Sequence, residues 1–236
     1  MISVISVGSL KTSGSSTVAL TLASVAAAAD IPVLLIDAAR DGDIAAWASQ
    51  AGRPAKISVE RIRDETAIEK LVRAARKRGD LVIIDAGDEA ETIRASAKLA
   101  DRALIPVRFS PVSALYAIET DRLLAEDIGR GRRLRDWCFV ASAVATIPSR
   151  IARSVEAIVE ESATARLPIG LVQRAAYEAP FLFGGTIFTM EEDVAPGLDR
   201  ARAEAASLAY EIGILGQKAN EARPAPGQRA AIREAA

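Results

Sequence analysis

The sequence predicts an α/β fold: a doubly wound, mostly parallel sheet with helices on both faces. Short, continuous apolar runs rich in β-branched residues recur along the chain, as suits strands covered on both sides. Longer, alanine-rich segments of helical periodicity alternate with them, and that repetition implies right-handed crossovers between parallel strands. With 236 residues, half of them apolar and 26% charged, the chain has material for one large core and a soluble surface, and no interior linker divides it.

The elements follow in order. ISVISV (2–7) is the first expected strand, followed by the polar turn GSLKTSGSST (8–17) and the helical TVALTLASVAAAA. VLLID (33–37), LVIID (81–85), RALIPV (102–107), CFVASAV (138–144) and IGLV (169–172) are the further strands. Between and after them TAIEKLVRAARKR, AETIRASAKLA, SALYAIETDRLLAEDI, SRIARSVEAIVEES and APGLDRARAEAASLAYEI read as helices. Residues 217–236 combine Pro, Gly, Ala and charge without apolar periodicity, so the expected domain is 1–216 with a disordered tail behind it.

Composition removes several chemistries. The chain has no histidine, which excludes Ser-His-Asp triads, Cys-His dyads and histidine metal sites. Its one cysteine, Cys138, lies in an apolar string; it excludes a disulfide within the chain, fits a reducing compartment and reads as a core residue. Thirty basic and 31 acidic residues nearly cancel, so any contact with DNA must come from local clustering. No apolar run reaches the ~20 residues that span a bilayer, and no basic leader precedes the first run; a cytoplasmic protein without a membrane partner is expected.

In an open α/β sheet ligands bind beyond the carboxyl ends of the strands. There the sequence places GSLKTSGSST after the first strand, Asp37 with AARDG after the second, and Asp85 with AGD after the third. A polar loop opening a helix beside two strand-end carboxylates is the layout of a Mg-nucleotide site: helix N–H groups hold phosphate and acids hold metal-bound water.

Residues 1–48 resemble the opening of the ParA/MinD family, deviant Walker-type ATPases with a P-loop NTPase fold, whose phosphate loop reads KGGxGKT and whose second motif reads DxDPQG. LVIIDAG is similar to the family's Walker B strand, ADRALIPVRFSPVSALYAIE to its ADxVLIPxxPS stretch, and QRAAYEAPFLFGGTIFTMEED to its late RxAY segment, so the resemblance spans about residues 1–213. It implies that Lys11 is the signature lysine that reaches the partner's phosphates in nucleotide-bound dimers. Thr12, Ser13 and Ser15 fall on the loop glycines, Gly14 on the variable position, Ser16 on the phosphate-loop lysine and Thr17 on the Mg-binding hydroxyl. Asp37 matches the acid that supports the metal through water, Ala39 stands in place of the water-activating aspartate, Asp85 fits the Walker B acid and Ser142 replaces an adenine-contacting Asn.

These departures point one way. Ser16 lacks the charge that faces the β/γ phosphates, and Ala39 holds no water, so hydrolysis is expected to be weak or absent. Residual nucleotide contacts are assigned to Lys11, Gly14, Ser15, Ser16, Thr17, Asp37 and Asp85, with Thr17 and Asp37 as metal groups and weak ATP or ADP with Mg as the cofactor. A register shift would make Asp41 the substitute acid. By resemblance the biology is partition, positioning or transfer of plasmid DNA, with non-specific DNA, a DNA-binding adaptor or competent ParA-like protein as partners, and a homodimer as the assembly. Arg174, Arg150, Arg153, Arg132 and Arg133 are the candidate DNA contacts. An active ATPase using Lys11, a nucleotide-independent DNA-binding protein and a Rossmann-type enzyme with Asp37 on a ribose are the alternatives; the last lacks GxGxxG. Phe181, Phe183 and Phe188 are expected to pack beneath a Gly-Gly turn, and Trp47 to close on the core or on a dimer surface.

Overall fold

The structure is a computed structural model and describes residues 2–11, 14–129 and 136–216. Six parallel strands form one sheet in the order β3-β2-β4-β1-β5-β6. The strands are β1 (Val4–Gly8), β2 (Val33–Asp37), β3 (Ile57–Arg61), β4 (Leu81–Gly87), β5 (Arg102–Val107) and β6 (Trp137–Ala141). The helices are α1 (Ser15–Ala28), α2 (Asp43–Ala48), α3 (Glu65–Arg78), α4 (Ala90–Leu99), α5 (Pro111–Gly129), α6 (Arg150–Glu160), α7 (Ala175–Phe183) and α8 (Leu198–Ile212).

The continuous apolar runs become central strands because both faces are covered. β1, β2 and β4 are buried along their whole lengths. One face packs on α1, α2, α7 and α8 through a core containing Leu22, Trp47, Ile83 and Leu208. The other lies under α3 to α6, with Ile105, Phe139 and Val155 in one cluster and Ile36, Ile68 and Ile84 in a second. The doubly wound, parallel α/β class expected from the sequence is therefore the observed one. Cys138 is buried in β6, and no helix among the described residues is long and apolar enough to cross a membrane.

Two expectations change. ISVER forms β3, an edge strand absent from the apolar-run reading: only Ile57 is buried, and Ser58, Glu60 and Arg61 face solvent, so its pattern alternates. IGLV is not a strand of the sheet. Ala143 has a positive φ of 49°, which ends β6 at Ala141, and 169–172 keep only the isolated bridge Val144–Val172. The tail 217–236, Thr12, Ser13, Arg132 and Arg133 lie outside the described residues.

Trp47 belongs to the core, at 1% exposure, and its indole N–H donates to the Gly185 carbonyl at 2.8 Å, tying α2 to the Gly-Gly turn after α7. Phe181 and Phe188 pack against the same core, whereas Phe183, at 60% exposure, is outside it. Trp47→Phe removes the donor and part of the packing, so thermal and urea unfolding should show a loss of about 2–4 kcal/mol. A loss under about 0.5 kcal/mol would mean that this tie carries no load.

Candidate functional site

The strand-end site is built at the carboxyl ends of β1, β2 and β4. Asp37 and Asp85 end up directly opposite each other because β2 and β4 pair in register, and both side chains are completely buried. Isolated buried carboxylates are costly, so each needs partners.

Asp37 finds them within its own half of the sheet. Its Oδ1 accepts from the Arg61 guanidinium at 2.7 Å, and its Oδ2 accepts from the Ala45 N–H at 2.8 Å. Arg61 stands at the end of the edge strand β3 and also donates to the carbonyls of Ala39 (2.6 Å) and Arg40 (2.8 Å). One side chain therefore neutralises Asp37 and fixes the loop that carries Ala39. Ala39 is buried against Gly87, whose φ is +64°; a Cβ added to Gly87 would lie 2.8 Å from the Ala39 Cβ. Asp41 faces solvent beside Arg40, at 3.3 Å, away from this pair.

Asp85 is satisfied from the loop-helix side. Ser16 Oγ donates to its Oδ2 at 2.6 Å, and the Gly87 N–H donates to its Oδ1 at 3.2 Å. Burial raises the Asp85 carboxyl from 3.8 to about 6, while the hydrogen bonds from Ser16, Ser15 and Gly87 pull it down. The hydroxyl that holds Asp85 is thus that of Ser16, the residue that the resemblance sets in place of a phosphate-loop lysine. Thr17 instead lines a narrow cleft with Gly14, Arg108, Ser142, Gln173 and Arg174. That cleft has a volume of about 30 Å³, room for no more than a couple of waters.

The loop itself opens on a left-handed Gly14 (φ 88°), whose carbonyl accepts from the Val18 N–H at 3.0 Å as α1 begins at Ser15. Before it, the Leu10 N–H donates to Thr120 Oγ1 at 2.9 Å, and Lys11 Nζ lies 5.0 Å above the Tyr116 ring. Lys11 is therefore set on α5 of its own chain by a cation–π contact. No group of three or more carboxylates or thiols that could hold a metal ion occurs among the described residues.

The candidate DNA residues separate. Arg174 is committed to Glu204, with Nε 3.2 Å from each carboxylate oxygen, and Tyr177 donates to the same carboxylate at 3.2 Å. Burial and Glu204 raise the Tyr177 phenol well above its ordinary value, which keeps it a donor. Arg150 and Arg153 are exposed in the first turn of α6. Arg61, the residue that organises the Asp37 side, escapes a sequence reading; its one signal is its place at the end of the alternating ISVER segment.

No family model matches the chain. It is similar to Protein ParA of Rhizobium radiobacter, 26% identical over 204 residues that cover 83% of this chain and 90% of the relative. Two solved structures show the same fold. The ATP complex of a McdA variant from Cyanothece has a TM-score of 0.67 at 16% identity, covering 92% of this chain and 98% of that one. The cell division protein MinD of Aquifex aeolicus has a TM-score of 0.63 at 17% identity, covering 87% and 95%.

Two outcomes test the geometry. Above about pH 6 Asp85 is ionised in a site that disfavours the charge, whereas the unfolded chain ionises it near 3.8. The folded state therefore binds the extra proton, and stability from this group is full below pH ~4 and is lost as pH rises through about 6, by on the order of 3 kcal/mol. Urea unfolding of Asp85→Asn beside the native chain should show the variant gaining about that much on the native chain between pH 4 and pH 7; a constant difference would contradict the assignment. Arg61→Met leaves Asp37 buried without its cation and should cost about 3–5 kcal/mol, part of which returns in Arg61→Met/Asp37→Asn. A cost under about 1 kcal/mol would show that Arg61 is a surface ion pair only.

The sequence relative and the shared fold together bear out the resemblance to ParA/MinD proteins.

Proposed function

We propose that this protein is a ParA-like scaffold or regulator in the partition, positioning or transfer of plasmid DNA, and that it works without hydrolysing nucleotide. The observation that carries the reading is the state of the two acids. Both oxygens of Asp37 are taken by Arg61 and Ala45, and Asp85 is capped by Ser16, where a metal's water shell would need free carboxylate oxygens. The residues as placed fit a Mg-nucleotide poorly: the loop offers backbone N–H groups and hydroxyls to phosphate, its one lysine, Lys11, lies over the Tyr116 ring, position 16 is a serine, and Ala39 accepts no proton.

The likeness to a Protein ParA and to the fold of a plasmid partition protein from Borrelia burgdorferi supports partition as the setting, and the McdA variant of the same fold forms an ATP complex. Non-specific DNA, an adaptor or competent ParA-like protein, and a homodimer complete the proposal. Among the candidate cations Arg150 and Arg153 are available to a partner, whereas Arg174 is held by Glu204.

Calorimetry with MgATP, and phosphate release, should be run on the native chain, on Ser16→Lys and on Ser16→Lys/Ala39→Asp. The native chain should show no binding tighter than about 1 mM and no turnover, while the double variant gains binding. Micromolar binding with turnover by the native chain, abolished by Lys11→Ala, would overturn the proposal in favour of an ATPase that uses Lys11.

A further inference from the structure

Helices α5 and α6 leave a groove of about 630 Å³ between them on the outer face of the sheet. Its walls are apolar and open to solvent: Leu115, Ile151 and Ile158 are 54%, 62% and 52% exposed, and Ile118 and Val155 lie deeper. An exposed, contiguous apolar strip of this kind marks an interaction surface. The two helices follow the neighbouring parallel strands β5 and β6, so they run side by side with their N-termini at the same end.

That end is strongly positive. Arg150 lines the groove and Arg153 shares its turn. Neither makes an ion pair among the described residues, and the first turns of α5 and α6 contain no acid. The two helix N-termini add their partial positive charge. Farther along, α5 carries Glu119 with Arg122, and Glu160 and Glu161 close α6, so the net positive charge lies at the mouth.

We propose that the groove docks one amphipathic helix of a partner protein, with apolar residues spaced i, i+4, i+7 on the floor and acidic residues in its last turn at the mouth. A single helix fills a gap between two parallel helices, and its negative C-terminal end meets the arginines and the two positive helix ends. The other occupants match less well. Residues 217–236 contain one large apolar residue, Ile232, and are basic, with Lys218, Arg223, Arg229 and Arg233 against Glu221 and Glu234. A second copy of this face brings either the same arginines or a mixed set, Arg122 with Glu119, Glu160 and Glu161, to the mouth, and it brings two helices to a gap that holds one. Duplex DNA would use the arginines but leave the apolar floor uncovered.

The test uses the full chain and a labelled, stapled helix of about 18 residues, with leucines at that spacing and glutamates in its last turn, beside an otherwise identical helix ending in lysines. Fluorescence anisotropy should show the glutamate-ended helix binding at least about tenfold more tightly than the lysine-ended one. Leu115→Ser/Ile151→Ser, at exposed positions, should weaken it about tenfold or more, and Arg150→Glu/Arg153→Glu should reverse the preference. Circular dichroism checks that each variant is folded. Equal binding of the two helices, or none, overturns the proposal. So does binding of a labelled DNA duplex that is lost in the arginine variant but unchanged in Leu115→Ser/Ile151→Ser, or sedimentation showing a dimer that only the latter breaks.

Discussion

Two carboxylates, buried side by side at the ends of neighbouring strands, set the terms on which this end of the molecule is built. Parallel pairing of β2 with β4 puts Asp37 opposite Asp85, with neither exposed. In an environment of low polarisability, like charges at that position must be neutralised, hydrogen-bonded or protonated. The chain does all three: Arg61 neutralises Asp37, backbone and serine donors bind both acids, and Asp85 is pushed toward its neutral form.

Each solution also shapes the surrounding backbone. Arg61 reaches from the edge strand to the carbonyls of Ala39 and Arg40, so β3 is joined to the site as well as to the sheet. Gly87 lets β4 leave the sheet under Ala39 without a Cβ in the way. Ser16, in the first turn of α1, ties the loop-helix junction to β4. The result is a strand-end region closed by its own residues, which on the proposed reading takes the place of a nucleotide site. The outer face of α5 and α6 shows the converse, an apolar groove and a basic mouth that no residue of the described chain covers.

Much of this was legible in the residues, for identifiable reasons. β1, β2 and β4 are fully buried, so their apolar runs are unbroken, and the rule that ligands gather at strand ends singled out Asp37, Asp85 and the serine-rich turn. β3 was not legible because an edge strand with one buried position carries too little apolar signal, and Arg61 went with it. The Ser16–Asp85 bond joins residues 69 apart, and no local pattern announces it. IGLV looked like a strand because composition cannot register the turn at Ala143 that carries the chain out of the sheet. Arg174 stood out as a cation, but its charge is answered by Glu204, thirty residues away on α8.

The central claim is that Ser16 and Arg61 occupy the two acids in place of a metal-bound nucleotide. Side-chain ¹³C NMR of the Asp37 and Asp85 carboxyl carbons tests it directly, recorded at pH 7 while MgATP is added to the native chain. The account predicts that neither resonance moves, and that Ser16→Ala alone shifts Asp85. Saturable movement of both carbons at micromolar MgATP would contradict it.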